Sequence, residues 1–111
     1  MKNKLKRERY FEATEFENLK EIIYNAVKKF GNDKAFILKH KEGKNIKYEN
    51  ITFKKFLEDV NGLGTKLFKL GYKNKRVAIV GRNRYEWVLA YIAGLLGGIV
   101  VVPLDKELQL E

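Results

Sequence analysis

Cysteine is absent from this 111-residue chain, and histidine, proline, methionine and tryptophan occur once each. Without cysteine there can be no disulfide, no thiolate nucleophile and no sulfur-ligated metal, and the composition fits a reducing cytoplasm. With His40 the single histidine, no triad or multi-histidine metal site can be built from it. Long apolar runs are also missing. The most apolar stretch, Trp87 to Val102, is too short to span a bilayer and is interrupted by Gly94, Gly97 and Gly98. The basic segment Met1 to Arg9 is not followed by the apolar core of a secretory signal.

Phosphate-binding glycine motifs are equally scarce. No loop ends in Gly-Lys-Ser/Thr. Gly94-x-x-Gly97-Gly98 lies at the end of a helical pattern, whereas the dinucleotide fingerprint sits between a strand and a helix start. Gly81 follows a strand-like run but lacks the second and third glycines. These glycines read as turns and close packing. Acidic residues are outnumbered, 14 against 23 basic, so the net charge is +9. That excess keeps nucleic acid, phosphorylated ligands and anionic membrane in play. The basic residues are scattered, however, and lack the basic–aromatic alternation of a single-strand binder. A stand-alone basic module for nucleic acid or anionic membrane is therefore the rival reading.

What is present is a set of periodic segments. Residues 1–17 form a basic leader (Lys2, Lys4, Lys6, Arg7, Arg9) and an extended stretch; residues 18–111 carry the domain. Leu19, Ile22, Ile23, Ala26, Val27 and Phe30 recur at helical spacing between Asn18 and Phe30, with Gly31 placed as a C-terminal cap. Ala35 to Lys39 and Ile46 to Tyr48 read as strands of a hairpin joined by the polar loop from His40 to Asn45. Thr52 is placed to cap a long helix ending at Gly71, with Phe53, Phe56, Leu57, Val60, Leu63, Leu67 and Phe68 on its buried face. Gly62 and Gly64 inside that helix cost about 1 kcal/mol each relative to alanine, which makes sense where another backbone passes close by.

The last third predicts a strand at Arg76 to Val80, a helix from Arg84 to Leu96 and a strand at Ile99 to Val102 closed by Pro103. Asn83 and Glu86 match a capping box. The helix should bury Trp87, Val88, Tyr91, Ile92, Leu95 and Leu96. Strand–helix–strand in so short a span makes the two strands parallel. The expected fold is α/β: an N-terminal hairpin plus a βαβ unit, with three helices. Parallel strands are normally covered on both faces. Too little chain follows Pro103 to cover the final strand, so the domain is expected to be an incomplete part of a larger one.

Candidate functional residues are few. Arg82 and Arg84 beside a helix start could attract an anion, although Glu86 offers local neutralisation. His40 reads as a solvated turn residue, Glu58-Asp59 as a polar helix face, and Trp87 and Tyr91 as core. No catalytic, cofactor-binding or metal-binding residue is assigned.

From Ile51 onward the series resembles the opening of the adenylate-forming superfamily of acyl- and aryl-CoA synthetases, luciferases and peptide-synthetase adenylation domains. Ile51-Thr52-Phe53-Lys54-Lys55-Phe56 is similar to its early helix start, and Leu67-Phe68-Lys69-Leu70-Gly71 to its "L-x-x-L-G" helix end. Arg76-Val77-Ala78-Ile79 followed by Asn83-Arg84-Tyr85-Glu86-Trp87 resembles "R-V-A-I … N-x-x-E-W". Most specific is Leu95 to Asp105 (LLGGIVVVPLD), similar to the segment ending V-P-L/I-D. Asn83 to Trp87 together with Val102 to Leu108 look most like bacterial long-chain fatty-acid–CoA ligases. One departure is Asn74-Lys75 where the family usually has Gly-Asp; asparagine tolerates positive φ, so the turn can survive.

The resemblance implies a parent enzyme that joins fatty acid, ATP and CoA through an acyl-adenylate, releasing AMP and pyrophosphate. It implies Mg2+, a catalytic lysine and a serine/threonine/glycine-rich phosphate loop, all C-terminal to these residues. The 111-residue chain alone is then expected to be inactive, to hold no cofactor and to self-associate. No nucleic-acid partner is expected. The parent is expected in the cytoplasm, with peripheral association at the inner face of the membrane a further expectation.

Overall fold

A computed structural model of the chain describes residues 12–108; the basic cluster Lys2, Lys4, Lys6, Arg7 and Arg9 lies outside them. The first helix, α1 (Leu19–Phe30), starts where the Asn18 side chain accepts from the Glu21 amide, satisfying one otherwise unpaired first-turn donor. Its stripe is only partly covered. Ile23 packs on the core, while Ile22 and Phe30 remain exposed. Gly31 does not act as a left-handed cap: its φ of −48° is right-handed. A Cβ there would stand 2.8 Å from the Val27 carbonyl oxygen, so close approach explains the glycine. The turn beyond it ties α1 to the next helix, with the Lys54 amide donating to the Gly31 carbonyl and the Phe53 amide to that of Asp33.

The hairpin is longer than its apolar pattern suggests. Strands β1 (Lys34–Glu42) and β2 (Asn45–Thr52) pair antiparallel from Lys34↔Thr52 to Glu42↔Asn45, leaving a connection of only Gly43 and Lys44. Gly43, at φ +60°, supplies the positive φ that such a tight connection requires. His40 is therefore a strand residue rather than a turn residue. Its Nε2 lies 2.9 Å from Glu49 Oε2, and Lys47 reaches Glu42 at 3.7 Å. Cross-strand polar pairs hold together a ribbon whose far half is solvated on both faces.

Helix α2 (Phe53–Lys69) begins at Thr52, whose hydroxyl accepts from the Lys55 amide at 3.1 Å, as expected of an N-cap. Phe56 and Val60 are buried, but Phe68 is exposed. At about 100° per residue, Phe68 sits about 80° around the helix from Val60, off the buried face. Gly64 faces the Ala93 carbonyl, with a Cβ position 3.8 Å from it; Gly62 faces open space, so close backbone approach accounts for only one of the two. The helix ends at Lys69, and Gly71 turns the chain at φ +85°.

Strands β3 (Arg76–Ile79) and β4 (Val100–Pro103) pair in parallel, from Arg76↔Val100 to Ile79↔Pro103, with helix α3 (Tyr85–Leu96) between them. Val80 falls outside the strand and Pro103 inside it, shifts of one residue from the expected bounds. Asn74 adopts φ 65° and its amide donates to the Gly98 carbonyl, so the turn survives without glycine. Gly94 packs α3 against β4: a Cβ there would stand 2.6 Å from Val101 Cγ2. Gly97 closes the helix and Gly98, at φ +74°, reverses the chain. Close packing and turns thus account for these glycines.

Two expectations for α3 are corrected. Its N-cap is Arg84, without a side-chain capping bond, and not Asn83. Its core face carries Tyr85, Val88, Leu89, Ile92, Ala93 and Leu96, whereas Trp87 and Tyr91 stack on each other off the core at 5.3 Å and Leu95 is exposed. The chain is an α/β arrangement of three helices, an antiparallel hairpin and a parallel strand pair. Its buried centre is small: Ile51, Phe56, Val60 and Ala93, with Ile99 buried nearby. Val100, Val102, Val80 and Leu104 around the parallel pair stay exposed. No helix among the described residues is long and apolar enough to cross a membrane.

Candidate functional site

The most organised polar group lies where α2, α3 and the hairpin base converge. Tyr85, the first residue of α3, packs its ring against both Phe36 of β1 and Phe56 of α2, at 5.1 and 6.2 Å between centroids, and Phe36 and Phe56 are themselves 5.1 Å apart. These edge and tilted geometries are favourable for aromatic pairs. Beyond the rings, the Tyr85 hydroxyl donates to Asp59 Oδ2 at 2.7 Å. One turn back on α2, Lys55 Nζ sits 3.0 Å from Asp59 Oδ1. Both carboxylate oxygens are therefore engaged.

The electrostatics follow from this geometry. Partial burial works against ionisation of Asp59, but the Tyr85 hydroxyl and the Lys55 ammonium outweigh it and hold its pKa below 3.8. Burial, and then the hydrogen bond to Asp59, push the Tyr85 phenol well above its ordinary 10.0. Lys55 is raised by its bond to Asp59. At neutral pH the carboxylate is ionised, the phenol protonated and the amine charged. None is near its titration point, as a general acid or base would be. The arrangement clasps two helices together.

The carboxyl end of β3 is the other place to search, because ligands of open α/β sheets bind beyond strand ends. Here Gly81, Arg82, Arg84, Glu86 and Trp87 line an open cavity of about 450 Å³. Arg84 Nε is 3.3 Å from Glu86 Oε2, the neutralisation that the sequence suggests, and Arg82 is exposed. A solvated pair of this kind contributes at most about 1 kcal/mol. Gly81 abuts the Trp87 indole, 3.7 Å from a Cβ position. Among the described residues, no group of three or more His, Cys, Asp or Glu side chains gathers as a metal site.

Sequence reading missed the clasp, treating Asp59 as part of a solvated face. Lys55 and Asp59 at i,i+4 spacing were visible, but the partner that gives the pair its depth comes from 26 residues away.

The α2–hairpin junction and the β3–α3–β4 crossover both lie in the span, residues 23–111, matched by the family described as "AMP-binding enzyme". The chain belongs to that family. It is 30% identical over 105 residues to fatty acyl-CoA synthetase B of Dictyostelium discoideum, a match covering 92% of this chain and 16% of that protein. The chain thus spans about a sixth of this curated relative's length. Among solved structures it is similar to the fatty acid AMP ligase from Legionella pneumophila, with a TM-score of 0.66 and 19% identity over 81% of this chain and 15% of that one. It is similar also to IdnL1, with a TM-score of 0.68 and 18% identity over 86% of this chain and 19% of that one. These two likenesses concern the fold.

Proposed function

We propose that this chain is the N-terminal structural part of a long-chain fatty-acid–CoA ligase, which converts fatty acid, ATP and CoA to acyl-CoA, AMP and pyrophosphate through an acyl-adenylate. In that enzyme β3 and β4 belong to the sheet of the large subdomain, and α2 and α3, locked by the Asp59–Tyr85 clasp, back it. The nucleotide and acyl sites, Mg2+ and the catalytic lysine belong to residues beyond these 111, and the chain alone performs no chemistry. The observation that carries the reading is the family match across residues 23–111, which includes the whole crossover.

Fatty substrates appear in the names of two relatives, which supports a fatty acid. The long-chain preference rests on the resemblance at Asn83 to Trp87 and Val102 to Leu108. The cytoplasm is the proposed compartment. The exposed apolar residues around β3 and β4 support self-association of the isolated chain. Reading the frame beyond Glu111 tests the proposal. A downstream serine/threonine/glycine-rich phosphate loop supports it, and a stop codon at that point overturns the ligase activity.

A further inference from the structure

The hairpin segregates its charges by face. Directly opposed residues of an antiparallel pair project from the same side. The register therefore places Ile37, Lys39 and Lys41 of β1 with Asn50, Tyr48 and Ile46 of β2 on one face. The other face enters the core at its base through Phe36, Leu38 and Ile51. Both hairpin glutamates stand on that second face, and both are already engaged: Glu49 with His40 at 2.9 Å, Glu42 with Lys47 at 3.7 Å. The first, outer face carries no carboxylate. Its Ile37 is 60% exposed, Ile46 48% and Tyr48 64%. Lys44 in the turn extends the positive charge to the tip.

We propose that this outer hairpin face docks on an anionic lipid surface. Isoleucines and a tyrosine interleaved with lysines suit the headgroup boundary, where aliphatic side chains enter, tyrosine bridges the apolar and wet zones, and lysine stems let their ammoniums reach phosphate. Nucleic acid is less suited, since the face offers one aromatic ring and no arginine for stacking or base contact. Register, charge and exposure within the 111-residue chain carry this docking, whatever reaction the larger protein performs.

The test is co-sedimentation of the full 111-residue chain with vesicles of phosphatidylcholine alone and of phosphatidylcholine mixed with phosphatidylglycerol. Binding should need the anionic lipid and weaken as salt rises. The double variant Lys39→Glu/Lys41→Glu should lose binding about tenfold or more, because each lysine near such a surface contributes on the order of a fivefold factor. Tyr48→Ser should weaken it without a change of charge. The double variant Lys66→Glu/Lys69→Glu, which removes equal charge from α2, should bind better than the hairpin variant, and deletion of residues 1–9 should leave the hairpin effect in place. Circular dichroism should show each variant folded. Equal binding by the two double variants, loss of binding on deletion of residues 1–9 alone, equal binding to neutral vesicles, or binding to an oligonucleotide but not to vesicles would each overturn the proposal.

Discussion

Tyr85 and Asp59 are joined by a 2.7 Å hydrogen bond across 26 positions, the only described side-chain bond linking α3 to α2. It couples the hairpin base to the crossover, because the same tyrosine ring sits against Phe36 and Phe56. Tyr85→Phe keeps that aromatic packing and removes only the donor to a charged acceptor. Stability should fall by about 1.5–3 kcal/mol, read from the midpoint of urea unfolding.

The same clasp sets pH dependence at both ends. The folded pKa of Asp59 lies below its unfolded value near 3.8, so its contribution is present above that pH and is lost as pH falls through the folded value. Tyr85 is raised above 10.0, so its contribution is full below pH 10.0 and declines as pH rises towards the folded value. Unfolding midpoints should therefore drop below about pH 4 and again above about pH 10, and Tyr85→Phe should flatten both limbs. Identical profiles for the two proteins would remove the clasp's energetic role.

Helix α3 approaches β4 at Gly94 with no room for a methyl group. Gly94→Ala should destabilise by about 1–3 kcal/mol through overpacking, despite alanine's better helix propensity. Adding Val101→Ala should restore part of the loss, since Val101 Cγ2 is the atom in the way. A thermal melt of the single and double variants checks both statements.

Capping separates two threonine- and asparagine-bearing helix starts that look equally plausible in the sequence. Thr52→Ala should cost about 1 kcal/mol, because its hydroxyl accepts the Lys55 amide. Asn83→Ala should change stability by less than about 0.5 kcal/mol, because Asn83 is not the cap. Equal losses in chemical denaturation would restore the capping box.

These contrasts mark what a linear reading can see. The long helix was legible because Thr52 and the spacing of Phe56, Val60 and Leu63 are local signals, and the crossover because both strands are rich in β-branched residues, the first broken by Gly81 and the second set between Gly98 and Pro103. The start of α3 was not, because Tyr85 is held by Phe36, Phe56 and Asp59, none of them near in sequence. Strand lengths in the hairpin were hidden for another reason: a ribbon solvated on both faces shows no apolar alternation, and its pairing rests on contacts such as His40–Glu49. Family resemblance reached the AMP-binding assignment through motif order, which local physics alone does not encode.

The exposed rim formed by Val80, Val100, Val102 and Leu104 bears on solution behaviour. Each of the two described sheets has only two strands, so both edges of the parallel pair are open. Analytical ultracentrifugation at micromolar concentration should show dimers or larger species. A clean monomer would contradict the proposed self-association.

The central proposal is that these residues support a ligase whose chemistry lies elsewhere in the enzyme; within them, Asp59, Tyr85 and Lys55 hold one another in their neutral-pH charge states. Pyrophosphate release by the purified 111-residue chain, supplied with ATP, Mg2+ and a long-chain fatty acid, tests this most directly. The account predicts a rate indistinguishable from a protein-free control. Sustained release that depends on the fatty acid would place catalytic groups inside these residues and contradict it.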